Sequence, residues 1–111
     1  MGSTDSLLGA LELLALKALE NGAMHGWGIT LHIQSVSNEV LRVEEGSLYP
    51  ALHRMEKAGW VKAEWGLSEN NRRARFYKIT AAGRNQLRSE QEKWESVAQA
   101  IALVLRSKAL A

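Results

Sequence analysis

The chain contains no cysteine, which excludes a disulfide framework and any thiolate metal site. Aspartate is almost missing as well, since Asp5 is the only one among 111 residues. No Ser/His/acid arrangement, Gly-rich phosphate loop or pair of carboxylates on one motif is visible, so an enzyme is not expected. The three histidines do not form a metal site. His25 and His32 stand seven apart, but His25 falls in a turn and no carboxylate lies beside them at ligand spacing. His53 belongs to a different helix. Neither a metal nor a cofactor is therefore expected. Apolar runs are short, far below the roughly 18 residues of a membrane span. Residues 1–5 carry no basic stretch of the secretory kind. Together these absences fit a cytoplasmic, single-domain protein that works by binding.

What is present is unevenly spread. The formal net charge is only +2, but residues 1–41 sum to −3, residues 42–88 to +5 and residues 89–111 to zero. A basic middle in a nearly neutral chain marks a local surface for a polyanion. That middle opens with the segment 45–59, around which the rest is organised. Leu48, Leu52 and Met55 recur at i, i+4, i+7, one apolar stripe of a helix. Ser47, Tyr49, His53, Arg54 and Lys57 stand between them. Pro50 is the single proline of the chain. It has no N–H to give, so it is expected in the first turn, with the helix starting within 46–49. Gly59 is expected to end the helix as a left-handed cap. Such a helix suits a major groove, and it equally resembles any amphipathic surface helix.

The flanking elements decide between these. Residues 6–21 read as a helix capped by Asp5 or Ser6 and stopped by Asn21 and Gly22. Its leucines, Leu7, Leu11 and Leu14 among them, run almost all the way round, so a second subunit is expected to cover part of it. A second helix is expected over 26–37, where Gly26 and Gly28 imply close packing near its start. Residues 40–43 are either an edge strand or a connector. Residues 60–65 and 75–79 alternate as two strands, joined by a protruding loop over 66–74. Thr80 is a natural cap for a last helix over 81–106. In it Leu87, Trp94 and Ile101 are spaced by seven, with Val97, Val104 and Leu105 beside them, a coiled-coil-like seam. Trp27, Trp60 and Trp65 are read as domain core or wing base.

This order of elements is that of a winged helix-turn-helix followed by a dimerisation helix, a mainly α (α+β) fold. Residues 1–80 would form the DNA-binding domain, with the first helix also in the dimer interface, and residues 81–111 the dimerisation helix. The runs at 8–14, 24–29, 46–56, 59–61 and 75–83 resemble the PadR family of transcriptional regulators. The most specific is Ser47-Leu48-Tyr49-Pro50-Ala51-Leu52-His53-Arg54-Met55-Glu56. The likeness spans about residues 7–105 and, with one C-terminal helix, points to the short subclass. It implies a homodimeric repressor of double-stranded DNA bearing a pseudo-palindromic operator, in some relatives released by phenolic or multidrug compounds.

With that resemblance, Ser47, Tyr49, Pro50, His53, Arg54 and Lys57 are the expected contacts of the recognition helix. Arg54 can take a guanine edge or a phosphate. Asn70, Asn71, Arg72, Arg73 and Arg75 are the expected contacts of the wing, suited to phosphates or a narrow minor groove. Leu7, Leu11, Leu14, Leu87, Trp94, Val97, Ile101 and Leu105 are the expected dimer interface. Trp94 is oversized in an otherwise aliphatic seam. It is either a packing residue or the face of a pocket for a small aromatic effector at the dimer axis. Two other readings share the fold: a winged helix that binds only protein, and one that binds RNA.

Overall fold

The computed structural model describes residues 10–108. Helix α1 spans Leu11–Ala18, strand β1 Met24–His25, and helix α2 Gly26–Val36. Helix α3 spans Glu45–Lys57, strands β2 and β3 run over Val61–Leu67 and Arg73–Ile79, and helix α4 covers Ala81–Arg106. The sheet is antiparallel in the order β1-β3-β2. The core gathers where the apolar stripes of these elements meet: Leu16 and Leu19, Ile29, then Leu48, Leu52 and Met55, closed by Val61, Tyr77 and Ile79.

Helix α1 is shorter than the sequence suggests, ending at Ala18. The expected cap at Asp5 or Ser6 and the expected dimer residue Leu7 lie outside the described residues. Its leucines are covered mostly from within the chain, because α2, α3 and α4 all pack on it. Leu11, Leu16 and Leu19 are buried there and Leu13 and Leu14 partly so. Residues 40–43 are a connector. The turn expected at Met24 and His25 is instead a third strand, pairing Met24 with Tyr77 and His25 with Phe76. Such a two-residue strand has no periodicity to read.

Helix α3 starts at Glu45, one residue before the expected window, so Pro50 lies in the second turn. There it removes the donor that Gly46's carbonyl would meet and costs helix stability. Pro50 and Gly46 are both exposed, on the side of the helix away from the core. The far end follows expectation: Gly59 has φ +84. The Gly59 amide donates to the Glu56 carbonyl at 3.0 Å and the Trp60 amide to the Met55 carbonyl at 2.9 Å. That pair of bonds satisfies the last carbonyls and turns the chain into β2.

The hairpin is longer and its loop tighter than expected, since both strands gain residues from the region read as loop. The register runs from Val61 opposite Ile79 to Leu67 opposite Arg73, leaving residues 68–72 as the tip. Asn71, at φ 61, reverses the chain, with its amide 2.8 Å from the Ser68 carbonyl. Thr80 caps α4 by accepting from the Gly83 amide at 3.0 Å. The Thr80 hydroxyl also donates to the Gly59 carbonyl at 2.6 Å, which ties the end of α3 to the start of α4. Helix α4 then runs for 26 residues, about 39 Å at 1.5 Å per residue, and most of its second half is exposed. Among the described residues no helix is long and apolar enough to cross a membrane.

Candidate nucleic-acid interface

Helix α3 buries Leu48, Ala51, Leu52 and Met55. Gly46, Pro50, His53 and Lys57 follow the same i, i+4, i+7 spacing on the opposite side and form the outward stripe. The His53 and Lys57 side chains take no hydrogen bond or ion pair among the described residues. They are thus available to a ligand without first breaking a contact.

The two flanks of α3 differ from that stripe. Towards α1, half-buried Ser47 shares its side with Arg54, whose Nε donates to Glu12 Oε2 at 3.2 Å. Towards the wing, Glu56 accepts from Arg75 Nη2 at 3.1 Å. Tyr49 lies over the start of α2: a Cβ on Gly26 would stand 2.6 Å from its hydroxyl. The close approach expected near Gly26 and Gly28 is therefore made at Gly26. At Gly28 a Cβ would meet only ordinary contacts, 3.5 Å from the His25 ring. Burial, with Glu45 and Tyr77 behind it, pushes the Tyr49 phenol above its usual range.

The sequence places Arg72, Arg73 and Arg75 together, but they occupy three settings. Arg72 sits at the wing tip beside Asn70 and Asn71, its guanidinium unpaired among the described residues. Arg73 lies within β3 and stacks over the Trp65 ring at 4.8 Å. Arg75 is committed to Glu56, with the Tyr77 ring 6.0 Å away. Register puts Trp65, Leu67, Arg73 and Arg75 on the face that continues Val61, Tyr77 and Ile79 beyond the body. The basic side of the wing is therefore the side that packs on α3 at its base. Trp65 and Leu67 are more than 60% exposed on it, so Trp65 is not core. Trp27, at 53%, is not core either, while Trp60 packs partly buried against it.

The wing tip is held on its other side by His25. The imidazole Nδ1 accepts from the Gly28 amide at 3.0 Å and caps α2. In the neutral ring the proton is then on Nε2, which faces Glu69 Oε1 at 3.4 Å. The ring edge also packs on Phe76 at 5.2 Å. Glu69's own backbone amide, and then His25, hold its carboxyl below the usual range. Otherwise an open groove of about 980 Å³, lined by Trp27, Leu31, Tyr49 and Phe76 among others, separates the wing from α2. Sequence reasoning missed Glu12, Glu56, Glu69 and the capping role of His25. Glu12 and Arg54 are 42 positions apart, and no periodicity connects such pairs.

Of the expected dimer residues, Leu11 and Leu87 are buried in the chain's own core and Leu14 is partly covered. Trp94, Val97, Ile101 and Leu105 are exposed, as is Val104. The seam in water therefore starts at Trp94 rather than Leu87.

A helix-turn-helix with a basic wing and a projecting helix narrows the possible relatives, and the sequence decides among them. The family described as transcriptional regulator PadR-like matches residues 15–89. The chain belongs to the PadR-like family. The transcriptional regulator Rv3488 of Mycobacterium tuberculosis is 33% identical over 92 residues, covering 83% of this chain and 82% of that one. A transcriptional regulator from Clostridium thermocellum superposes with a TM-score of 0.79 at 30% identity, over 88% of this chain and 95% of its own. A PadR-like transcriptional regulator from Bacillus cereus gives 0.79 at 25% identity, over 94% and 99%. The fold is the winged helix of PadR regulators, and the chain is a DNA-binding regulator of transcription.

Proposed function

We propose that this PadR-like regulator is a homodimeric repressor that binds a pseudo-palindromic operator. The observation that carries the reading is the placement of unpaired cations. Among the described residues Lys57 on the outward stripe of α3 and Arg72 at the wing tip are free of carboxylates, whereas Arg54 and Arg75 on the flanks are paired. In this reading α3 enters the major groove. His53 and Lys57 run along it with Arg54 at its edge, Ser47 and Tyr49 lie nearest the backbone, and Pro50 faces the DNA on the outward stripe. The wing, with Asn70, Asn71, Arg72, Arg73 and Arg75, takes the flanking phosphates or minor groove. Residues 1–80 then act as the DNA-binding domain and residues 81–111 as the dimerisation helix. The strip Trp94, Val97, Ile101 and Leu105 meets its symmetry mate and sets the two recognition helices about 34–36 Å apart, one turn of B-form DNA. A small planar aromatic effector bound against Trp94 would change that separation.

Fluorescence anisotropy on selected and scrambled duplexes over a salt series is the test. With about six phosphates neutralised, log affinity should fall against log salt with a slope near −5. No binding at low salt, or a flat slope, would favour a module that binds only protein. Repeating the titration with added planar aromatics tests the effector. Release of DNA together with saturable quenching of Trp94, in a variant lacking the other tryptophans, supports it. Quenching without release counts against it.

A further inference from the structure

Among the described residues, the guanidinium of Arg54 is the one cation of the recognition helix that a different element holds in place. Its Nε donates to Glu12 Oε2 at 3.2 Å, across from α3 to α1, while both side chains remain partly exposed. An exposed ion pair of this kind contributes little to stability. What it fixes is direction. Arginine has five N–H donors, and this contact uses the one on Nε. The two terminal amino groups take no other hydrogen bond among the described residues. They form the end-on edge that a guanine presents O6 and N7 to receive. Glu12 is itself on a rigid mount, since Leu11 beside it and Ala15 and Leu16 one turn on are buried in the core. Lys57, by contrast, is a point charge on a flexible stem with no partner among the described residues, suited to a phosphate.

We propose that Glu12 is a positioning residue that sets Arg54 to read a base and thereby determines operator specificity. The proposal rests on the DNA-binding reading above. Pre-ordering a long side chain lowers the entropy lost when it docks. The Glu12 carboxylate meanwhile repels phosphate on any sequence, so the pair raises discrimination at the expense of general affinity. Helix α1 also packs on α4, so the orientation of Arg54 follows the placement of the projecting helix.

The experiment compares Glu12→Ala, Glu12→Gln, Arg54→Ala and the Glu12→Ala/Arg54→Ala double variant. Binding is measured on a duplex selected by the wild-type protein from a random pool and on its scrambled version. Glu12→Ala should lower the ratio of selected to scrambled affinity about fivefold or more, the scale of one lost base contact. Glu12→Gln keeps an acceptor for Nε and should recover part of that ratio. The double variant should lose no more than Arg54→Ala alone. Equal tightening on both duplexes by both Glu12 variants would mean a nearby negative charge and nothing more. An unchanged ratio, or additive losses, would likewise overturn the proposal. The wild-type protein is measured first: if it shows no sequence preference at low salt, the DNA-binding reading fails before any variant is compared.

Discussion

Gly83 has no side chain because the space where a Cβ would stand is taken by the Trp60 carbonyl oxygen and by Ile79 Cγ1. That carbonyl accepts from the Thr80 amide at 3.0 Å and cannot retreat without losing the bond. Gly83→Ala must therefore lift the first turn of α4 from the body. We expect it to destabilise the fold by about 1–3 kcal/mol, despite alanine's better helix propensity. Thermal denaturation followed by circular dichroism would show a melting temperature lower by several degrees; an unchanged or raised one would mean that the turn has room. At this scale the residues that obey a local rule were legible in the sequence. Thr80 caps, Gly59 takes a positive φ, and Leu48, Leu52 and Met55 point inward. Residues whose role depends on a distant partner were not. Nothing near Arg54 announces Glu12, and the sequence does not separate core from wing base for Trp27 and Trp65, both of which the fold leaves exposed.

Among the elements, the wing shows how equal charges acquire unequal uses. Arg72 is free at the tip among the described residues, whereas Arg73 is laid on Trp65 and Arg75 is held by Glu56. Arg72→Ala should weaken binding to all duplexes alike and lower the steepness of the salt dependence by about one unit. Arg73→Ala should do so too, and should also free the Trp65 ring from a cation–π contact worth about 0.5–1 kcal/mol at an exposed site. A shift in Trp65 emission confined to the Arg73 variant would separate the two. If Arg72→Ala spares the scrambled duplex, the wing tip is reading sequence and its assignment to phosphates is wrong. The two strands and α4 were visible as alternation and as a seam, because those patterns repeat. The extent of the hairpin was harder, since Gly66, Leu67, Arg73 and Ala74 have mixed polarity and join the sheet only through register. Strand β1 is held by pairing with β3 and by leading straight into α2, neither of which leaves a mark on two residues.

The described residues extend over 62 × 27 × 22 Å, and the long axis comes from a helix whose outer half is largely exposed among them. The base of that helix is stapled to the end of α3 through Thr80, Gly59 and Trp60, so under the proposed function a rotation of the arm would carry the recognition helix with it. A partner seated on the arm would therefore fix both the number of recognition helices and their spacing. In water the strip from Trp94 to Leu105 would be an exposed apolar patch, and in the dimer proposed above a second copy would cover it with the same strip by symmetry. Ile101→Glu places a carboxylate in the middle of the strip, and in a dimer it would face its own copy across the two-fold axis. Residue 101 is already half exposed in the single chain, so the variant should fold. We expect sedimentation to give twice the 12.3 kDa chain mass for the wild type and the single mass for the variant. Affinity for a two-half-site duplex should then fall by on the order of 10²–10⁴, the loss of linked binding, while a single half-site is bound as before. A variant that stays dimeric would move the interface off this strip. One that is monomeric yet holds the full site as tightly would mean that the two recognition helices do not act together.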